Sequence, residues 1–267
     1  MVSEPDKLPA PLQYLPDCRR SRRLPEHRSA GGSPLIRVIL PPYALRRITE
    51  ANTVSTLPGR LFRENAMRLR WLEWCLLFLC LPLLLFLNLL PFSKFVYLSL
   101  AALYALSVIL ACKPDFTVTG QPLTQQTALR IVLVTASIFL FSRLAFPNHF
   151  LSIPALHAKI WLMILLFYPL ISVLPQEFVY RRFYFWRYSA LFPNSVLLLL
   201  SNIAMFSFAH IMYGNMVAVF LSMLGGILFA RSYLQSGRLL PVWIEHSLYG
   251  IAIFTSGLGH FFTSVLS

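Results

Sequence analysis

Apolar residues in this chain come in long unbroken runs rather than in alternation. Seven such runs lie at about 71–91, 95–112, 129–146, 160–180, 195–213, 216–235 and 239–259. Each holds about 18 or more residues with few or no charges, enough for a helix to cross a hydrocarbon core. Continuous apolar stretches are unlike the alternating pattern of a membrane β-barrel. The pattern therefore predicts an all-α, polytopic membrane protein of about seven (six to eight) transmembrane helices. The fourth run contains Pro169 and Pro175, which predict a kink or a split with a second helix starting near Pro175.

The first 66 residues are a different material. They hold nine prolines, the basic cluster Arg19, Arg20, Arg22 and Arg23, and the turn-rich "AGGSP". With no sustained helical or strand period, 1–66 reads as a flexible basic, Pro-rich tail. Residues 67–267 read as the integral membrane domain. "MRLRWLEWCLLFLCLPLLLFL" also has the form of a natural start, a short basic head before a first span, so an overlong start upstream of Met67 is one reading of the tail. The run from Trp71 to about Leu90 is too long for a signal-peptide core and lacks a small-residue cleavage site, which predicts an uncleaved anchor.

Composition supports this division. The chain of 267 residues is 57% hydrophobic and 12% charged, with a mean hydropathy of +0.65. A soluble domain of that size needs far more polar surface. The net charge of +13 does not imply nucleic acid, because 13 of the 23 Lys and Arg residues lie in 1–70 and most others sit at the ends of apolar runs. That distribution marks cytoplasmic segments. With the N-terminus cytoplasmic, 20 basic residues fall on the cytoplasmic side and only Lys94, Arg143 and Lys159 on the other. The partners expected are the lipid bilayer, including anionic headgroups under the tail, and no nucleic acid. The four cysteines show no CxxC pair and no Cys/His spacing suited to zinc.

Polar residues inside the apolar runs carry the chemistry. Beyond residue 116 there are two acids, Glu177 and Glu245. Glu177 follows Gln176 and precedes Arg181 by one turn; Glu245 precedes His246; His210 stands alone in "NIAMFSFAHIM". Ionisable groups at membrane depth are costly and imply a function or a partner. The plainer readings are an i, i+4 staple for Glu177 and Arg181, an interhelical hydrogen bond for His210, and headgroup contacts for Arg182 and Arg187. Depth separates these readings. At about 1.5 Å per residue, Glu177 lies about 15 Å from Arg187, His246 about 12 Å from Arg238 and His210 about 22 Å from Ser195. All three reach a middle band on separate helices, as the parts of an acid/base hydrolytic site would. The chain has no HExxH, no GxSxG and no Asp within a run, so zinc, serine and aspartyl intramembrane protease signatures are missing.

Three segments, "QEFVYR" (Gln176, Glu177, Arg181), "FSFAH" (Phe206, His210) and "HSLYG" (His246, Gly250), resemble the EExxxR, FxxxH and HxxxN motifs of the CPBP family. These are the CAAX-protease and bacteriocin-processing (abortive-infection) intramembrane proteases. The resemblance spans roughly 160–262. It implies an endopeptidase that hydrolyses a peptide bond in a membrane-associated protein or peptide, in a multi-pass protein of the bacterial inner membrane. It implies catalytic roles for Glu177, Arg181, His210 and His246, with water activated by Glu and His and the oxyanion stabilised by His246. The family has been called metalloprotease, so zinc on His210, His246 and a carboxylate and a metal-free glutamate mechanism both stay open, and no residue is assigned as a metal ligand. Two positions depart from the motifs. Gln176 replaces the first glutamate and Gly250 replaces the asparagine. Glu177 points about 100° away from Gln176 on a helix, which leaves Glu245 as the candidate replacement carboxylate. The departures also keep open a catalytically inactive scaffold or immunity-type protein on the same fold. A proton-coupled transporter is a further alternative, because it too places Glu, Arg and His at midplane.

Overall fold

The computed structural model describes residues 60–114, 116 and 124–263, and among these the chain is helical with no strand. Residues 1–59 of the expected flexible tail lie outside the described residues. The first helix begins at Arg60, seven residues before the expected start of the membrane domain.

Six helices are long and apolar enough to cross a membrane. They are α1 (Glu64–Phe86), α2 (Lys94–Cys112), α3 (Gln125–Ala145), α4 (Ala158–Arg187), α5 (Ser195–Tyr213) and α6 (Met216–Ser236). The all-α polytopic reading holds. The seventh run forms α7 (Leu239–Ser256), but Glu245, His246 and Tyr249 at its middle leave it less apolar than the other six. Those same residues are buried, so α7 faces the bundle with its polar side.

Helix boundaries follow local chemistry. Thr124, Asn194 and Asn215 cap α3, α5 and α6, each side-chain oxygen accepting from a backbone N–H three residues on. In α4 the expected split at Pro175 does not occur. The helix runs unbroken for 30 residues; a wider π-type turn at Tyr168–Val173 contains Pro169 and immediately precedes Pro175, and a second such turn follows at Phe178–Phe183. Such turns relax the clash between a proline ring and the preceding turn, and they re-aim the side chains that follow. Gln176 and Glu177 sit between the two.

The helices α5 and α6 form the centre, with half of the α5 span buried. On one side α7 packs against α3, α4 and α6; on the other, α1 packs on α5 and α2 on α4. Large apolar side chains cover the outside of α1 to α4, among them Leu69, Leu103, Leu133, Leu144 and Leu166. In water so much exposed apolar surface would drive association; in a bilayer it faces lipid. The tryptophans do more than line an interface. Trp74 Nε1 donates to the Tyr184 hydroxyl at 2.8 Å, Trp161 to Thr255 at 2.9 Å and Trp243 to the Pro169 carbonyl at 2.7 Å, each fastening two helices.

Gly257 ends α7 at φ +100°. A Cβ there would collide with the His149 carbonyl oxygen, so only glycine lets the α3–α4 connection close over this end. The Leu151 N–H and the Ser142 hydroxyl both donate to the buried Ser256 carbonyl, at 3.2 and 2.7 Å.

Candidate active site

Three helices meet at Glu177, and its side chain is fully buried. Arg181, one turn on in α4, donates from Nε to Oε2 at 3.1 Å. His246 of α7 approaches Oε1 with Nδ1 at 2.7 Å. Asn202 of α5 accepts from the Arg181 guanidinium and donates to the Tyr180 carbonyl at 2.7 Å. A charge this deep is held only by such a set of partners. Because a carboxylate oxygen accepts, His246 carries a proton on Nδ1, and its Nε2 makes no hydrogen bond among the described residues.

His210 is set in the same way by a different acceptor. Its Nδ1 lies 2.8 Å from the Phe206 carbonyl, which also can only accept. The ring nitrogen left over, Nε2, is then a lone-pair acceptor. Phe206 separates the two histidines, its ring 5.0 Å from His210 and 5.8 Å from His246 between centroids, with the Arg181 guanidinium 4.8 Å from it. Phe229 of α6 stacks on His246 at 4.2 Å and an interplanar angle of 18°, so both faces of this polar cluster are walled by aromatic rings.

Both histidines line a cavity of about 140 Å³ enclosed by α3 to α7. A second cavity, of about 80 Å³, lies between α1, α2, α4 and α5. The two share Ser172, Gln176, His210 and Tyr213 as walls. Gln176 donates to the Ser172 hydroxyl at 2.8 Å and stands with His210 where the cavities adjoin. Glu177 and Arg181 line neither cavity and lie behind His246. The structure thus brings Gln176, His210 and His246 to one space and puts Glu177 and Arg181 in support.

Glu245 belongs elsewhere. It is fully buried, but Arg130 of α3 grips it with Nε at 2.8 Å and Nη2 at 3.0 Å. Ser232 of α6 and Tyr249 also donate to it, the latter at 2.9 Å. Glu245 lines neither cavity, because adjacent residues on α7 point about 100° apart and His246 is the one that faces inward. The expected replacement of Gln176 by Glu245 is not what the geometry provides. Arg187 also differs from expectation. Instead of a headgroup contact it makes a buried ion pair with Glu73 of α1 at 2.8 Å, and the Tyr188 hydroxyl joins at 2.9 Å. Arg182 lies 4.0 Å from the Phe116 ring. Of the two glycines in "MLGGILF", Gly226 meets Ile203 and Phe206 of α5 closely, and Gly225 lines the larger cavity.

The donor set does not suit zinc as it stands. Both Glu177 oxygens are engaged by Arg181 and His246, and His246 uses Nδ1 for that contact. Among the described residues no three His, Cys, Asp or Glu side chains come together as a ligand group.

Residues 157–252 match the family model described as type II CAAX prenyl endopeptidase Rce1-like. That model is of the CPBP family, and the likeness covers this stretch of the membrane core. The CPBP match runs from the start of α4 into α7 and so contains every residue of the Glu177, His210 and His246 cluster. No curated protein and no solved structure matches the chain.

Four residues that pack around the cluster or pair with its neighbours escaped sequence reasoning: Arg130, Glu73, Phe229 and Tyr168. Arg130 carried a readable signal, a cation at the start of the 129–146 run in a chain whose buried Glu245 needs a partner. Phe229 and Tyr168 carried none, since aromatic residues are common throughout such helices.

Proposed function

We propose that the chain is an intramembrane endopeptidase that hydrolyses a peptide bond of a membrane-associated protein or peptide. The observation that carries the reading is the 2.7 Å contact of His246 with Glu177, which fixes one histidine at the wall of a cavity that His210 also lines. In this reading Nε2 of His210 takes a proton from water as the water oxygen attacks the peptide carbonyl carbon. His246, as imidazolium with Glu177 as counter-charge, donates from Nε2 to the oxyanion. Collapse of the tetrahedral intermediate breaks the C–N bond, and His210 returns the proton to the leaving amine. Gln176 orients the water by hydrogen bonds rather than as a base. Arg181 and Asn202 hold Glu177 in register. No step passes through a metal.

The lipid-exposed apolar helices and the cavity between α1 and α2 favour a substrate with a hydrophobic anchor, such as a prenylated or otherwise lipidated terminus. The same reading puts the chain in a bacterial inner membrane with the N-terminal side cytoplasmic, a sidedness supported by the distribution of Lys and Arg. Purified protein in detergent, incubated with a lipidated or tail-anchored reporter peptide, tests the proposal. Cleavage that disappears in His210→Ala is expected. Gln176 and Gly250 favour a second reading, a non-catalytic member on the same fold, and a wild-type chain that leaves every reporter intact would select it.

A further inference from the structure

Gly250 lies one turn after His246 on α7, at the position where the HxxxN pattern has asparagine. The space is not empty. A Cβ built on Gly250 would run into the hydroxyl and ring edge of Tyr168 from α4. A side chain at 250 and the present position of Tyr168 therefore exclude each other, and the glycine is what admits the phenol.

Tyr168 is held there from several directions. Its ring sits edge-on to Phe254 at 5.4 Å and 70°, and edge-on to His246 at 6.3 Å and 80°. The backbone beside it is fastened to α7 by the bond from Trp243 to the Pro169 carbonyl, 2.7 Å. The wider turn that begins at Tyr168 sets the direction of the side chain as it leaves α4. Tyr168 lines the same cavity as Gln176, His210 and His246. Among the described residues its hydroxyl has no hydrogen-bond partner. A phenol hydroxyl that lines the cavity without a protein partner is free to serve a ligand there. Three other polar groups at this wall are committed: His246 Nδ1 to Glu177, His210 Nδ1 to Phe206 and the Gln176 amide to Ser172.

We propose that Tyr168 is the second hydrogen-bond donor to the oxyanion, replacing the amide that a residue-250 asparagine would supply. The inference rests on the peptidase reading of the site. Tyrosine hydroxyls act in this way in other oxyanion sites, because a preorganised O–H is ready before charge develops. The exchange also moves the second donor from α7 to α4, the helix that carries Gln176 and Glu177, so it stays beside His246 while the helix of origin changes.

The test is the reporter cleavage assay on Tyr168→Phe, Tyr168→Ala, Gly250→Asn and the double variant Tyr168→Ala/Gly250→Asn, each checked for its thermal midpoint. Removal of one oxyanion donor lowers kcat about 100-fold or more. Tyr168→Phe, which keeps the ring and its packing, is expected to show that fall in kcat with little change in KM. Gly250→Asn alone is expected to lose activity through collision with Tyr168. The double variant is expected to recover a large part of what Tyr168→Ala loses, since it restores an amide in vacated space. A kcat for Tyr168→Phe equal to wild type overturns the inference and leaves the peptidase reading intact. A wild-type chain that cleaves no reporter overturns the peptidase reading and this inference with it.

Discussion

His246 and Glu177, 69 residues apart in sequence, are joined by a 2.7 Å contact between Nδ1 and Oε1 in the middle of the bundle. The carboxylate accepts from Nδ1–H and so orients the ring, and Arg181 fixes the carboxylate. Glu177 therefore works through His246, and removing its charge strands Arg181 among apolar groups. Glu177→Gln is expected to lower kcat about 100-fold or more and to destabilise the bundle by about 3–5 kcal/mol. Steady-state kinetics with thermal unfolding in the same detergent reads both.

Glu245 and Arg130 form a second buried pair that does not line a cavity. Its disruption is expected to affect folding rather than chemistry. Glu245→Gln leaves Arg130 unpaired and lowers the thermal midpoint, while turnover per folded molecule stays at the wild-type level. The double variant Arg130→Met/Glu245→Met is expected to be more stable than either single change, because apolar replacement of both members avoids a stranded charge. Abolished turnover in a folded Glu245→Gln protein would return Glu245 to the chemistry.

Gln176 stands beside His210 where the two cavities adjoin. A glutamate there adds a base within reach of the same water, so Gln176→Glu is expected to raise kcat by at least about 10-fold. The added carboxylate must be ionised to act, so the gain is present at neutral pH and lost as pH falls and the carboxylate is protonated. A pH–rate profile of the variant against wild type checks the sign.

Gly257 combines φ +100° with a carbonyl oxygen, that of His149, where a Cβ would stand. Gly257→Ala adds a methyl where both backbone strain and the His149 carbonyl oppose it. A loss of at least about 2 kcal/mol is expected, measurable as a lower thermal midpoint, with the α3–α4 connection becoming more susceptible to protease.

Much of the architecture was legible in the sequence because a bilayer imposes a length and a composition on every helix that crosses it. The α2, α5 and α6 spans are close to the apolar runs from which they were expected. Proline misled at α4, since a helix can absorb Pro169 and Pro175 by widening the turn at Tyr168–Val173 as well as by breaking. The shared depth of Glu177 and His246 agrees with their contact, while His210 reaches the same cavity with a partner of its own, the Phe206 carbonyl. Rotation about the helix axis was less readable. Glu245 and His246 are neighbours in sequence at the same depth, and only the packing of α3 and α6 decides that one faces Arg130 and the other faces the cavity. Arg187 shows the same limit: its depth suited a headgroup contact, and Glu73 in α1 took it instead.

The most direct measurement follows a lipidated reporter peptide by mass spectrometry after incubation with the purified full-length chain, and with its His210→Ala and Glu177→Gln variants, in one detergent. The expected result is a single hydrolytic cut by the wild-type chain, with the two products together heavier than the substrate by one water, and its loss in both folded variants. An intact reporter with the wild-type chain, or equal cleavage by His210→Ala, would contradict the assignment of this site to peptide hydrolysis.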